Sequence, residues 1–356
     1  MVSRGRAARE LNGFSTMWLF LSAALVSWLA GFPVRRLLVR WDIIDQPNAR
    51  SSHAEPVARG GGLGILLALG GVASAVVPGG PLLAAWLGAG LGVAVISFLD
   101  DLRPQPAWLR FGCQLAGAVL FAAVAGWPSV VLSFQAAGGV QLPAMAGTAL
   151  VLFCLVGHTN AFNFMDGING LAAGQGAITG AGMAVVTGLA AEAWASPPVL
   201  LCWAVSGAAA GFLPHNFPRA RMFMGDVSSA PLGLLLAALA VWLASVHGPW
   251  LLLPLALLHA NFLLDTAITL ARRVARGERW SEAHREHFYQ RLIRAGKSHV
   301  FVTGAELALQ LAALGLMTAY VLADPALRPW LAAAVVAMWL GFFCYAERVF
   351  RRAQVR

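Results

Sequence analysis

The chain has 356 residues, of which 59% are hydrophobic and only 12% charged. Long apolar runs recur from end to end, which excludes a soluble globular domain; short alternating strands are missing, which excludes a transmembrane β-barrel. The formal net charge of +9 lies beside the apolar runs and not in a soluble basic domain. That argues against nucleic acid as a partner and fits basic loops held on the cytoplasmic side, with a share left for phosphates of a substrate or of membrane lipid.

In chain order, eleven runs are long enough to approach a hydrocarbon core of about 30 Å: 16–39, 61–78, 82–99, 107–126, 143–161, 167–189, 195–213, 227–246, 249–270, 300–322 and 328–350. The expectation is an all-α polytopic integral membrane protein of ten or eleven transmembrane helices, forming one domain over 1–356. The first run leads into Arg35-Arg36 without a small-residue cleavage site, so it reads as a span and not as a signal peptide. The segment 127–142 is too broken by Pro and Gly to span and reads as an outside loop with room for a short hairpin. Cys113, Cys154, Cys202 and Cys344 all lie in apolar runs without a CxxC, as small core residues do.

The loops at 40–60, 100–106, 214–226 and 271–299, with their flanking turns and the C-terminal tail, hold 21 of the 25 Lys and Arg. This bias makes that side cytoplasmic, with the N-terminus outside and the C-terminus inside. Most acids fall on the same side, so the polar chemistry is concentrated on one membrane face.

Five constellations lie there. The loop from Asp45 to Gly62 ends in Arg59 and three glycines, which form either a turn into the second span or a row of N–H groups for an anion. Asp100 and Asp101 are adjacent carboxylates at a span end, which repel unless a cation shares them; a local partner is Arg103. Asn160, Asn163, Asp166 and Asn169 crowd the junction of two spans. A single N-cap does not require all four, and the spacing of three puts Asn163, Asp166 and Asn169 near one helical face if the helix continues. Asn216 precedes Phe223-Met-Gly-Asp226-Val-Ser-Ser229, where Asp226 caps the next span or the free N–H groups and hydroxyls receive a phosphate. The loop 271–299 carries Arg272, Arg273, Arg276, Arg279, Arg285 and Arg291 with His284 and His287, a set better suited to an anionic diphosphate than to a metal. Outside these, His158 reads as a satisfied helix-end histidine, and Asp265 as a structural partner of Arg272 or Arg273.

Taken together and in this order, the five pieces resemble the polyprenyl-phosphate N-acetylhexosamine-1-phosphate transferases, over nearly the whole chain. Asp100-Asp101 is similar to the family's paired aspartates, and Asn163-Phe-Met-Asp166-Gly-Ile-Asn169-Gly to its N-x-x-D-G-x-D-G motif. Phe223-Met-Gly-Asp226 is similar to F-M-G-D. Ala283-His284-Arg-Glu-His287-Phe-Tyr-Gln290 resembles the last loop of the O-antigen-initiating branch. Two positions depart from the pattern: Asn169 stands for a second Asp, and Ser228 for a Gly. The absence of a compact triple-His cluster points away from a muramoyl-pentapeptide donor.

The resemblance implies a UDP-N-acetylhexosamine donor, undecaprenyl phosphate as acceptor, UMP as product, a bacterial inner-membrane location and an active site on the cytoplasmic face. It also implies Mg²⁺, with Mn²⁺ as an alternative, on Asp226, and a homodimer. Asp100, Asp101 and Asp166 are the candidate catalytic acids. Asn163, Asn169, Asn216, Phe223, Arg59, His284, Arg285 and His287 are the candidate nucleotide and substrate contacts. A transporter of nucleotide-linked or lipid-linked sugar, and a non-catalytic relative, are the competing readings; a transporter should line a path across the bilayer with polar groups.

Overall fold

Within a bilayer every backbone N–H and C=O must be satisfied inside the segment, so the apolar runs become helices. The computed structural model describes residues 2–47, 55–126, 131–132, 140–279 and 284–355. In chain order the elements are α1 (Val2–Arg40), β1 (Ile44–Asp45), β2 (Val57–Arg59), α2 (Leu63–Val76), α3 (Pro81–Leu102), α4 (Ala107–Ala125), β3 (Val131–Leu132), β4 (Val140–Gln141), α5 (Ala144–Phe164) and α6 (Leu171–Ala191). They continue with α7 (Pro197–Asn216), β5 (Met222–Phe223), α8 (Asp226–His247), a 3₁₀ turn at Pro249–Leu251, α9 (Leu252–Leu257), α10 (Ala260–Ala275), α11 (Phe288–Arg294), α12 (His299–Leu322) and α13 (Arg328–Gln354).

Each of the eleven apolar runs carries helix, but the count of spans is smaller than expected. Eight described helices are long and apolar enough to cross a membrane, and a ninth follows if the bent pair Pro249–Leu257 and Ala260–Ala275 is one span. Two helices depart from the expectation for different reasons. α2 has 14 residues, about 21 Å at 1.5 Å per residue, short of the ~30 Å core. α6 has 21 residues, but its glycines and Gln175 dilute its apolarity. The fold is also not purely helical. Short strands β3 and β4 pair antiparallel at either end of the 127–142 segment, whose remaining residues up to 139 lie outside the described ones.

The helix α8 is the core of the bundle. Every residue from Val227 to Ala244 is buried, as expected of a helix that is apolar all round. It packs against α3 and α5, while α1 packs on α7 and α2, and α6 lies between α7 and α12. These packings bring the ends of α3 and α5 and the start of α8 together.

The run expected at 249–270 is a broken helix, bent by 75° between α9 and α10. The break strips Leu258 O of its helical partner, and three buried side chains replace it: Gln175 Nε2 at 3.1 Å, Thr179 Oγ1 at 3.2 Å and Gln310 Nε2 at 2.5 Å. His158 is buried beside His259, with ring centroids 4.2 Å apart. Its Nδ1 meets Gly233 O at 2.7 Å, while its Nε2 makes no hydrogen bond, so the expectation of a satisfied histidine holds for one nitrogen only.

Candidate active site

The first cytoplasmic loop is tied to the segment before α8 by a three-stranded sheet. β1 pairs antiparallel with β2, Ile44 opposite Ala58. β2 pairs parallel with β5, Arg59 opposite Phe223. This pairing puts Arg59 beside the turn that starts α8, although 167 positions separate Arg59 from Asp226.

Arg59 bridges two carboxylates there. Its Nε lies 2.8 Å from Asp101 Oδ1 and its Nη2 3.0 Å from Asp226 Oδ1. Asp101, whose side chain is fully buried, also accepts from the backbone N–H of Asp226 at 3.2 Å and of Val227 at 2.9 Å. A residue of α3 therefore caps α8 from outside, a favourable place for negative charge. Gly225 makes this approach feasible. Its φ is +79°, and a Cβ there would lie 2.8 Å from Gly60 N and 2.9 Å from Asp101 Oδ2.

Asp166 completes the cluster. Burial pushes its carboxyl well above the ordinary value; Asp226 and Asp101 add to the shift, while Arg59 and an N–H from Gly225 oppose it. Burial also works against the Arg59 charge, but Asp226, Asp101 and Asp45 outweigh it and hold the guanidinium firmly protonated. With all three aspartates ionised, one arginine leaves two negative charges uncompensated. Among the described residues, no three His, Cys, Asp or Glu side chains form a ready-made metal cage. The donor set still fits Mg²⁺, which binds through one or two carboxylates plus phosphate oxygens and keeps several waters. Asp226, with 24% of its side chain exposed, and Asp166 are the carboxylates with capacity left.

Several expected contacts are committed elsewhere. Asp100 faces away from this cluster: Oδ2 pairs with Arg110 at 2.8 Å, not with Arg103, and Oδ1 accepts from Gln105 N at 2.6 Å. The α5 helix ends at Phe164, so Asn163, Asp166 and Asn169 do not share a helical face. The chain bends after α5 because Gly170, at φ +79°, turns it into α6. Asn163 Nδ2 donates to Ser229 Oγ at 2.9 Å. Asn169 Nδ2 donates to Pro218 O at 3.1 Å, and its carbonyl accepts from Thr303 Oγ1 at 2.7 Å. Asn216 is buried with both ends of its amide engaged: Oδ1 accepts from Gly170 N at 2.6 Å and Nδ2 donates to Met222 O at 3.1 Å. Asn169 and Asn216 thus lock the two loops that frame the site.

Gly61, Gly62 and the first turn of α8 spend their N–H groups within the chain, while Ser228 Oγ is buried without a partner. Gly61 N and Gly62 N donate to Phe223 O and Met224 O at 2.8 and 2.9 Å. The first N–H groups of α8 are taken by Asp101 and by Gly225 O. The departure at Ser228 also has a place in the packing. A Cβ on Gly62 would lie 2.2 Å from Ser228 Cβ, so the missing side chain at 62 makes room for the added one at 228. Asn48, Arg50 and His53 of the first loop, and Ala283 of the last, lie outside the described residues.

The last loop returns to the same face. Tyr289 Oη donates to Phe164 O at 2.9 Å, and His299 Nδ1 lies 3.4 Å from Asn169 N. Both contacts fasten the loop and α12 to the Asn163–Asn169 segment. His287 lies 6.1 Å from the Phe164 ring and 4.9 Å from His284, centroid to centroid. The His284 imidazole is pushed down to about 4, first by burial and then by His287 and Arg273, so it is neutral near pH 7; its buried Nδ1 makes no hydrogen bond. An orphaned donor or acceptor at the mouth of a charged loop suits a phosphate oxygen or its water. Arg285 takes part through its carbonyl, which accepts from Arg294 Nη1 at 3.1 Å. Behind the histidines, Arg273 and Arg276 pair with Glu278 and Glu286, and Arg291 with Glu347 at 2.5 Å.

Asp265 differs from its expectation. Arg272 pairs with Glu347, and Arg273 with the two loop glutamates. Asp265 instead meets His287 Nδ1 at 2.8 Å. The roles of Asp265 and Tyr289 carried little signal in the sequence; only the spacing Asn261, Asp265, Thr269 along one face of α10 hinted at a buried polar stripe.

Comparison with known proteins shows the family. The glycosyl transferase family 4 model matches residues 83–244, which include Asp101, Asp166 and Asp226. The decaprenyl-phosphate N-acetylglucosaminephosphotransferase of Mycolicibacterium smegmatis is 33% identical over 309 residues, 78% of this chain and 75% of the relative. The probable undecaprenyl-phosphate N-acetylglucosaminyl 1-phosphate transferase of Bacillus subtilis is 29% identical over 276 residues, 75% and 74% of the two chains. A phospho-N-acetylmuramoyl-pentapeptide-transferase of a Synechococcus strain is 33% identical over 241 residues, 62% and 66%. The chain belongs to the polyprenyl-phosphate N-acetylhexosamine-1-phosphate transferases, glycosyl transferase family 4.

Proposed function

We propose that this protein transfers a sugar-1-phosphate from a UDP-N-acetylhexosamine to undecaprenyl phosphate and releases UMP. The observation that carries the reading is the Asp101–Arg59–Asp226 bridge with Asp166 beside it. This negative centre sits at the edge of the bundle, next to a histidine- and arginine-bearing loop. The reaction joins two polyanions, so it needs a cation-binding half and an anion-binding half. In the expected orientation, with 21 of 25 basic residues on one side, that edge is the cytoplasmic face of a bacterial inner membrane.

Asp226 would hold Mg²⁺, and the metal would supply charge neutralisation of the diphosphate. Arg59 keeps Asp226 in place and spreads the charge of Asp101. The phosphate oxygen of the lipid attacks the β-phosphorus of the donor, the diphosphate P–O bond breaks, and UMP leaves with the α-phosphate. Asp166, whose raised affinity for protons suits a base, takes the proton of the lipid phosphate. His284, Arg285 and His287 contact the diphosphate, and Phe223 flanks the nucleotide. Direct attack is favoured over a covalent aspartyl intermediate. Both oxygens of Asp101 and both of Asp100 are already engaged, which leaves neither poised as a nucleophile.

The names of the relatives favour N-acetylglucosamine as the sugar, and the last loop favours a lipid-linked surface polysaccharide such as O-antigen as the destination. The test is a panel of UDP-N-acetylhexosamines offered to the purified protein with undecaprenyl phosphate, the lipid product being weighed by mass spectrometry. A lipid diphosphate sugar formed together with UMP is expected. Nucleotide sugar crossing a sealed vesicle with no lipid product would replace this reading with transport.

A further inference from the structure

We infer that Asp265 is a positioning residue of this site, setting the tautomer and ring orientation of His287 so that Nδ1 is held inward and Nε2 is left for the diphosphate. The inference rests on the proposed role of His287.

Asp265 is completely buried and accepts three hydrogen bonds. Its Oδ1 receives His287 Nδ1 at 2.8 Å and Thr269 Oγ1 at 3.0 Å; its Oδ2 receives the backbone N–H of Phe288 at 2.9 Å. A carboxylate is acceptor-only, so the atom facing it on His287 must carry a proton. The ring stacks on Tyr289 at 5.9 Å and 15° and lies 6.1 Å from the Phe164 ring, contacts that restrict its turning over. His287 is also the N-cap of α11, its side chain facing the Gln290 backbone N–H in a capping box; with Nδ1 committed to Asp265, no hydrogen bond from Nε2 to another side chain is found among the described residues. Nε2 is therefore the nitrogen able to take a proton from water or from a phosphate oxygen and hold it against the diphosphate, with the Asp265 charge compensating the imidazolium. A histidine whose second nitrogen is fixed by a carboxylate is the general way a ring is held in one tautomer.

The bland alternative is that Asp265 only caps α11 through Phe288 N. The substitution Asp265→Asn separates the two. Its carbonyl oxygen can still accept from Phe288 N, which preserves the cap. Its amide then faces His287 Nδ1 with a donor, which forces that nitrogen to accept and moves the ring proton to Nε2.

The experiment uses full-length protein with ¹⁵N-labelled histidine in lipid nanodiscs, the His287 signals being assigned with His287→Gln. In the wild type Nδ1 is expected to be protonated, and UDP-N-acetylglucosamine to shift the Nε2 signal. In Asp265→Asn, Nδ1 is expected to be unprotonated, with kcat roughly 10- to 100-fold lower, KM for the donor within about threefold and thermal stability near the wild type. An unprotonated Nδ1 in the wild type overturns the inference without any variant. So does Asp265→Asn with wild-type kcat, and so does His287→Gln with wild-type kcat. A wild type that shows the expected signals and shift but makes no lipid product sinks the transferase reading and leaves the positioning of His287 standing.

Discussion

Two groups of clustered polar residues in this molecule differ in composition and in cause. One surrounds Leu258 at the break between α9 and α10. There Gln175, Thr179 and Gln310 donate to a single freed carbonyl, and Asn261 Nδ2 donates to Gln175 Oε1 at 3.0 Å. The other is the cluster of Asp101, Asp166 and Asp226 on Arg59. At the first, the backbone is broken and the side chains restore what it lost, as any break at membrane depth demands. At the second, α3 and α8 are regular helices, and carboxylates crowd together although no backbone group needs three of them. Amides answer a structural demand; an excess of like charge with one arginine answers none, and a substrate is what remains to account for it.

Asp226→Ala should abolish transfer, by at least about 10³-fold, because several kcal/mol of charge stabilisation goes with it. Size-exclusion chromatography should show the protein still folded; appreciable magnesium-dependent product would remove Asp226 from the metal role. Arg59→Gln should cost roughly 10²-fold and also move the pH profile. Arg59 favours the ionised form of Asp166, so its loss raises that carboxyl further, and the acid limb of kcat/KM should shift to higher pH. A shift to lower pH would show that the limb belongs to another group.

Smaller effects sharpen the contrast. Asp100→Asn should leave activity within about tenfold, since its partners Arg110 and Gln105 N lie outside the cluster. Asp101→Asn should cost more than Asp100→Asn in the same assay. Equal losses would mean that the adjacent pair works as a unit after all. At the helix break, Thr179→Val removes one donor to Leu258 O and should cost about 1 kcal/mol of stability, with the donor KM unchanged. A raised KM there would connect the two polar groups that the comparison separates.

Much of this was legible in the sequence. Apolar run length marks helices reliably, and the asymmetry of charge points to one working face. What escaped was long-range pairing. Nothing local to Arg59 announces that a two- or three-residue strand will place it on Asp101 and Asp226, because strands that short carry no periodicity. For the same reason Asp100 and Asp101 are indistinguishable as neighbours in sequence, yet successive helix positions point about 100° apart, and only one meets α8. Asn169 and Asn216 stood among the candidate nucleotide and substrate contacts, but their amides are spent on loop backbone, a role that sequence and chemistry alone do not distinguish from ligand contact. The break at Leu258 was hidden because Leu and Pro read as continuous apolarity.

The most direct test of the account follows the phosphorus. UDP-N-acetylglucosamine labelled with radiophosphorus in the β position is offered to the purified protein with undecaprenyl phosphate, with and without chelation of divalent metal. The account predicts that the label moves into the lipid fraction, that unlabelled UMP is released, and that chelation and Asp226→Ala each stop both. Label retained in UDP while the sugar alone moves, or label entering lipid at full rate under chelation, would contradict it.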